Sequence, residues 1–145
     1  MSCKHQTCRQ INRLYDRNNL MIIQIGHSHE YDFIHELYEP IKQSDLYKNH
    51  QVIFPHEEWN SWINSEESLK KVELFVAEIS HSSTGLGIEL WFAKAYKLPI
   101  VCIHKKWITI SSSIDYLTNN IHEYSNSEEL ITCIEEGISN IHEKQ

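Results

Sequence analysis

Residues that can carry out chemistry are concentrated between Ser80 and Glu89. Four positions in this segment carry a side-chain hydroxyl, namely Ser80, Ser82, Ser83 and Thr84. They come directly before a helical pattern, and the amides at a helix N-terminus suit a phosphate. Capping of the helix would account for one of these hydroxyls but not for all four. The segment therefore indicates a phosphate-binding turn.

Glu89 is a carboxylate one turn inside that helix, which is predicted over 85–98 and is apolar on nearly every side. Such a helix is expected to be buried, and a buried carboxylate is costly unless it is paired or functional. Gly85 and Gly87 precede Glu89 and leave room for a ligand to reach it. A structural role is the alternative, because a Glu in the first turn also stabilises the helix dipole.

Short apolar runs alternate with helical patterns along most of the chain. Strands are predicted at 20–25, 51–54, 72–79, 99–104 and 121–124. Helices are predicted at 31–46, 66–70, 85–98, 111–117 and 127–141, and Pro40 is expected to kink or shorten the first of them. This alternation predicts an α/β fold, namely a doubly wound (flavodoxin- or Rossmann-like) parallel sheet of about five strands with helices on both faces.

Ligands of such sheets bind beyond the carboxyl ends of the strands. Three loops qualify: the loop that begins at Gly26, the loop from His56 onward, and the segment from Ser80 to Gly87. Three of the four glycines in the chain lie in these loops, as a close approach between backbone and ligand requires. The same loops carry four histidines that could donate a proton to a leaving group, namely His27, His29, His56 and His81.

Other ligand types are less well supported by the sequence. The four histidines have no acidic residue or Cys at metal-ligand spacing, so we expect no metal. Trp59 and Trp62 follow the second strand. Their rings could stack on a base, or they could pack the loop onto the core.

The composition narrows the possible classes of function. Hydrophobic residues make up 41% and charged residues 23%, as in soluble globular proteins, and no apolar run is long enough for a membrane span. The net charge of −7 argues against a nucleic-acid partner. The polar N-terminus lacks the pattern of a signal peptide, so a cytoplasmic protein is expected. We interpret 1–19 as an N-terminal extension and 20–145 as one domain.

Three stretches around Glu89 form a recognisable pattern: Val76-Ala77-Glu78-Ile79, Gly85-Leu86-Gly87-Ile88-Glu89-Leu90 and Ala93-Lys94-Ala95-Tyr96-Lys97-Leu98-Pro99-Ile100. They resemble the nucleoside 2-deoxyribosyltransferase superfamily, and within it the 2'-deoxynucleoside 5'-phosphate N-hydrolases. The family pattern is an apolar strand ending in Ala-Glu-Val, a polar loop with a Ser, Gly-x-Gly-x-Glu-Leu-Gly, and a helix leading to Lys-Pro. The resemblance extends from Glu73 to roughly His104.

The resemblance implies an enzyme without a cofactor that cleaves the N-glycosidic bond of a (deoxy)nucleoside 5'-monophosphate or nucleoside, by hydrolysis or by transfer of the sugar. Glu89 matches the catalytic glutamate that attacks the anomeric carbon, and Glu73 falls where the family has an aspartate implicated in catalysis. Ser83 matches the serine that holds the 5'-phosphate. Gly85 and Gly87 match the backbone that passes the sugar. Family members are typically homodimers.

The predicted helix at 85–98 carries more aromatic side chains than one helix in so small a domain readily buries, namely Trp91, Phe92 and Tyr96. Together with the resemblance, this surplus predicts a homodimer.

The first loop departs from the family pattern. The N-hydrolases read Gly-Ser-Ile-Arg-Gly-Gly where this chain has Gly26-His27-Ser28-His29-Glu30-Tyr31, so His29 takes the place of an arginine that contacts the phosphate. We therefore add four candidate substrate-binding residues, Gly26, His27, His29 and His56. The departures leave a second hypothesis open, which is a nucleotide-binding sensor or regulatory module of the same fold without turnover.

Overall fold

The computed structural model describes residues 20–57 and 65–143. Their centre is a sheet of five parallel strands in the order β2-β1-β3-β4-β5. The strands are β1 (Ile22–His27), β2 (Gln51–Ile53), β3 (Leu74–Glu78), β4 (Ile100–Lys105) and β5 (Ile121–Tyr124). The predicted strands and their parallel, doubly wound arrangement are confirmed.

Helices cover both faces of the sheet. The helix α1 consists of a π-helical turn, Ile34–Tyr38, and an α-helical turn, Glu39–Lys42; it is followed by α2 (Asp45–Asn49), α3 (Ser65–Leu69), α4 (Thr84–Ala95) and α5 (Ser127–Glu143). A 3₁₀ turn, Ser112–Tyr116, lies between β4 and β5. Buried side chains of α1 and α5 belong to one hydrophobic cluster, and those of α3 and α4 belong to another.

The two clusters lie on opposite faces of β3. Leu74 and Val76 belong to the first cluster, whereas Phe75 and Ala77 belong to the second. This division follows from the alternation of side chains along a strand. A central parallel strand is buried on both faces, which is why its sequence is a nearly continuous apolar run.

Pro40 lies inside α1 and alters the helix predicted over 31–46. Proline has no amide proton, and its ring clashes with the carbonyl four residues earlier. The preceding turn is π-helical, and the amide of Glu39 donates to the carbonyl of Ile34. The helix ends at Lys42, and a separate helix begins at Asp45. One consequence is that Tyr38 lies in a π-helical turn with its side chain in the core.

The helix α4 is not the fully buried element that its apolar sequence predicted. Its buried residues are Leu86, Leu90 and Ala93, whereas Trp91 is 64% exposed and Ile88 is 49% exposed. The prediction was wrong because α4 covers the sheet from outside and so buries a single stripe of side chains. The fold of one chain therefore leaves apolar side chains of α4 uncovered.

Two parts of the sequence analysis lie outside the described residues: the proposed extension, 1–19, and the loop with Trp59 and Trp62. Among the residues that the structure describes, no helix is long and apolar enough to cross a membrane.

Gly26 lies where the ring of Phe75 packs against β1, and a Cβ at this position would stand 2.3 Å from the ring. We expect Gly26→Ala to lower the free energy of unfolding by about 1–3 kcal/mol, because the fully buried ring has little room to move. Gly85→Ala is the matched control, since a Cβ there meets nothing within 4 Å. Urea unfolding followed by circular dichroism measures both. Equal stability of Gly26→Ala and wild type would show that the ring can shift without cost.

Candidate functional site

The loops that follow β1, β2 and β3 lie at one edge of the sheet, because the three strands are parallel. The strand β1 has β2 on one side and β3 on the other, so the strand order reverses at this point. Ligands of doubly wound sheets bind at such a reversal. The three loops selected from the sequence are therefore neighbours in the structure.

Glu89 extends from α4 toward the end of β1. Its Oε2 atom is buried and lies 3.2 Å from the position that a Cβ of Gly26 would occupy. Burial raises the pKa of Tyr38, and the charge of Glu89 raises it further. The carboxylate of Glu89 thus lies between α4 and β1, near Tyr38, at the point where the strand order reverses.

The N-terminus of α4 lies at the same edge. Ser83 caps the helix, and its Oγ accepts a hydrogen bond from the amide of Leu86 at 3.1 Å. Capping therefore accounts for one of the four hydroxyls. Ser82 and Thr84 are exposed, and Gly87 faces open space as Gly85 does. Exposed hydroxyls and open backbone at a helix N-terminus are the arrangement that suits a phosphate.

Ser80 has a structural role instead. Its hydroxyl donates to Glu78 at 3.1 Å and accepts from the amide of Lys105 at 2.8 Å. Glu78 is 1% exposed and also accepts from the amide of Ser80 and from the hydroxyl of Tyr124. These bonds tie the start of the loop after β3 to β4 and β5. The sequence analysis did not predict this structural role of Glu78, although a charged residue in an apolar strand is a signal for a buried and hydrogen-bonded carboxylate.

His27 is 3% exposed, and both of its ring nitrogens have partners. Nδ1 donates to the carbonyl of Ser28 at 2.8 Å, and Nε2 accepts from the hydroxyl of Tyr38. Burial lowers the pKa of His27 to about 4, and the neighbouring His56 and His29 contribute to the lowering. The imidazole is therefore neutral at neutral pH. It positions the first loop and is not suited to the role of proton donor that the sequence allowed.

His29 and His56 lie beside His27, and both are exposed. The ring centroids of His29 and His56 are 4.0 Å apart, and those of His27 and His56 are 5.1 Å apart. Phe33 stacks on His27 at 4.2 Å. Partial burial lowers the pKa of His56, and the charge of His29 lowers it further. The structure thus brings three of the four predicted histidines into one cluster.

His81 lies outside that cluster and stacks on Tyr31, with ring centroids 4.9 Å apart. The Nζ of Lys105 lies 5.4 Å from the centroid of the Tyr31 ring. Within 20–57 and 65–143, the Nε2 of His81 and the hydroxyl of Tyr31 are buried and have no hydrogen-bond partner. Burial, followed by the charge of Glu78, raises the pKa of Tyr31. The stacked pair joins the loop after β1 to the loop after β3.

Glu73 is not brought to this edge. It directly precedes β3, so it lies at the amino end of the strand, and it is exposed. Its carboxylate accepts a hydrogen bond from the amide of Ile22 at 3.3 Å. At about 3.3 Å per residue, the five residues of β3 place Glu73 roughly 16 Å from the loop that follows the strand. A direct catalytic role for Glu73, as the sequence suggested, does not fit this position.

The fold, but not the sequence, connects the chain to known proteins. No protein-family model and no curated protein sequence matches it. The solved structure of the CMP N-glycosidase BcmB of Clostridium botulinum matches with a TM-score of 0.55 and 19% identity, covering 79% of this chain and 98% of that one. A conserved protein of Enterococcus faecalis matches with a TM-score of 0.54 and 18% identity, covering 81% and 98%. At these identities the similarity is one of fold.

A cavity of about 450 Å³ lies beside α4. Ser83 and Gly87 contribute to its wall, but Glu89 does not. Its apolar lining includes Leu86, Leu90, Trp91, Ile110, Tyr116 and Leu117. The cavity is therefore separate from the carboxylate.

Within the described residues, no group of three or more His, Cys, Asp or Glu is arranged to hold a metal ion.

The buried His27 predicts a loss of stability in acid. Its pKa is about 4 in the folded chain and 6.5 as a free side chain, so the unfolded chain takes up the proton first as the pH falls. The stability that this group supports is present above pH 6.5 and is lost between about pH 6.5 and 4, a change of about 3 kcal/mol. Urea unfolding at several pH values measures it. His27→Asn is expected to flatten the dependence, whereas substitution of the exposed His35 should not; an unchanged slope in His27→Asn would refute the assignment.

Proposed function

We propose that this chain is an N-glycosidase that acts on (deoxy)nucleoside 5'-monophosphates or nucleosides and releases the free base. The observation that carries the proposal is the carboxylate of Glu89, which lies beside Gly26 at the strand reversal and one turn from the N-terminus of α4. The fold is shared with a structure described as a CMP N-glycosidase, which supports the same class of reaction.

The proposed chemistry places Glu89 next to the anomeric carbon of the sugar. Cleavage of an N-glycosidic bond passes through a state with oxocarbenium character. Glu89 stabilises that positive charge or attacks the carbon to form a glycosyl ester. Its partly buried position strengthens the electrostatic effect, because the surroundings screen the charge less than bulk water does. A second group must protonate the departing base.

The N-terminus of α4 would hold the phosphate. The hydroxyl of Ser83 accepts a hydrogen bond from the amide of Leu86, so its own proton is available to a phosphate oxygen. Ser82 and Thr84 are exposed next to it. The helix dipole adds an attraction for anions at this end. A phosphate bound here would be about one helical turn from Glu89, which leaves the width of a sugar between them.

Replacement of Glu89 tests the mechanism directly. Glu89→Gln keeps the size of the side chain and removes the charge. We expect turnover to fall by a factor that corresponds to several kcal/mol of lost transition-state stabilisation, while nucleotide binding is largely kept. Chromatographic detection of free base, with a panel of nucleotides, measures turnover, and calorimetry measures binding. Glu135→Gln, at an exposed position of α5, is the matched control.

Ser83→Ala is the contrasting variant in the same experiment, and Ser82→Ala changes the preceding hydroxyl without removing the cap of α4. Ser83→Ala should weaken the binding of 5'-phosphates more than it slows the cleavage of nucleosides, which lack the phosphate. Cleavage by Glu89→Gln at the wild-type rate would rule out the proposed mechanism. If wild type binds nucleotides and never releases base, the alternative of a nucleotide-binding sensor replaces the enzyme.

We also propose that the chain forms a homodimer through the uncovered side of α4. Ile88 and Trp91 are exposed there, and Tyr116, across the cavity, is 84% exposed. Large exposed apolar patches are typical of interaction sites. Light scattering at micromolar concentration should give twice 17.2 kDa, and Trp91→Glu should reduce it to the monomer. The matched control is Trp107→Glu, because Trp107 is 67% exposed and lies outside this surface. A monomeric wild type would contradict the proposal.

A further inference from the structure

We propose that His56 is the catalytic acid that protonates the departing base. This inference rests on the proposed N-glycosidase function and assigns the proton donor that the reaction requires. It is carried by the position of His56 in the fold and by its contacts with the other groups at the edge of the sheet.

Three sites at the ends of neighbouring strands lie in the same order as the phosphate, sugar and base of a nucleotide. The α4 N-terminus follows β3, the carboxylate of Glu89 lies at the end of β1, and His56 follows β2. Because the sheet order is β2-β1-β3, these three sites follow one another across the edge. Neighbouring strands are about 4.8 Å apart, so the sites span roughly 10 Å. A phosphate near Ser83 and a sugar over Glu89 therefore direct the base toward His56.

The other histidines of these loops are less suited to the role. His27 is buried, and both of its ring nitrogens are engaged with Ser28 and Tyr38. His81 is stacked on Tyr31, and its Nε2 is buried. His29 and His56 are exposed, and they are the members of the cluster that a base can reach.

His56 belongs to a histidine cluster that is anchored to α1. Its ring centroid lies 5.1 Å from that of His27 and 4.0 Å from that of His29. The hydroxyl of the buried Tyr38 on α1 donates to the ring of His27. Burial raises the pKa of Tyr38 and the charge of Glu89 raises it further, so the carboxylate lies within electrostatic range of the residue that anchors the cluster.

Burial and the neighbouring His29 are the two influences that lower the pKa of His56. Lys42 of α1 is ion-paired with Glu57 of the same loop as His56. Burial lowers the pKa of His56 and His29 lowers it further, so the protonated form is a stronger acid than an ordinary imidazolium. The titratable groups that surround it in the described residues are His27, His29, Tyr38, Lys42, Glu57 and, beyond Tyr38, Glu89.

The proton balance of the reaction closes with these groups. The bond between C1' and the base nitrogen breaks, its electron pair goes to the base, and the protonated His56 gives a proton to the base. Glu89 forms a bond to C1'. Water then attacks C1', gives its proton to neutral His56, and releases the sugar and the carboxylate of Glu89. Nucleotide and water are converted to base and sugar phosphate, and both residues return to their starting forms.

A leaving group that needs no proton separates this role from a structural one. With CMP, or the nucleoside 5'-monophosphate that wild type cleaves fastest, we expect His56→Gln to lower kcat by about 10²-fold or more. With 4-nitrophenyl ribofuranoside 5-phosphate, whose leaving group is a stable anion, the loss should be less than about threefold, since no proton is transferred. Glu89→Gln should slow both substrates. His35→Gln, at an exposed position on α1, is the matched control.

The pH dependence gives a second readout. An acid must be protonated to act, so kcat for the natural substrate should fall as the pH rises through the pKa of His56. His29→Gln removes a neighbour that lowers this pKa, so the fall should move to higher pH. Equal losses of His56→Gln on both substrates, with circular dichroism showing a folded variant, would assign His56 a structural role and overturn the proposal. Cleavage of the same nucleoside 5'-monophosphate by His56→Gln at the wild-type rate would also overturn it. If wild type cleaves neither substrate, the proposed function is wrong, and this assignment with it.

Discussion

The arrangement of the candidate site depends on the missing side chain at Gly26. The ring of Phe75 and the carboxylate of Glu89 both approach the position that a Cβ would occupy there. Phe75 belongs to the core between β3 and α4, so the contact fixes how closely that layer packs on β1. The same approach places Glu89 at the point where the strand order reverses. One glycine thus allows both the packing of the core and the position of the carboxylate.

The strands and the last helix were predictable because the residue pattern within each element is enough to identify it. A buried parallel strand requires an apolar run, as in β3, and α5 buries one stripe of an amphipathic sequence. The sequence was less informative where the structure depends on something outside the element. A kink or an early end at Pro40 was predictable, but the π-helical turn depends on which carbonyl can accept a bond. The exposure of Ile88 depends on what covers α4.

The site was predictable to the extent that it is continuous in sequence. Glu89 and the turn at Ser83 belong to one motif, and the structure keeps them together. Tyr38 was missed because its partner, His27, comes from another element of the fold. Glu73 was assigned to the site because it falls where the family that the sequence resembles has an aspartate implicated in catalysis. Since a strand is extended, a few residues along β3 carry it to the opposite edge of the sheet.

Glu78 and Glu89 both lie next to this edge, and their surroundings differ. Glu78 lies on the face of the sheet that packs against α1 and α5, where it accepts hydrogen bonds from Ser80 and Tyr124 and holds the loop after β3. Such a fully bonded carboxylate is a structural group. Glu89 lies on the other face, on a helix whose first turn has open space above Gly85 and Gly87. The proposed reaction at a sugar would draw on both arrangements. Glu78 holds the loop after β3 in place, and the open first turn of α4 would admit the substrate to Glu89, whose charge stabilises the transition state in the proposed mechanism.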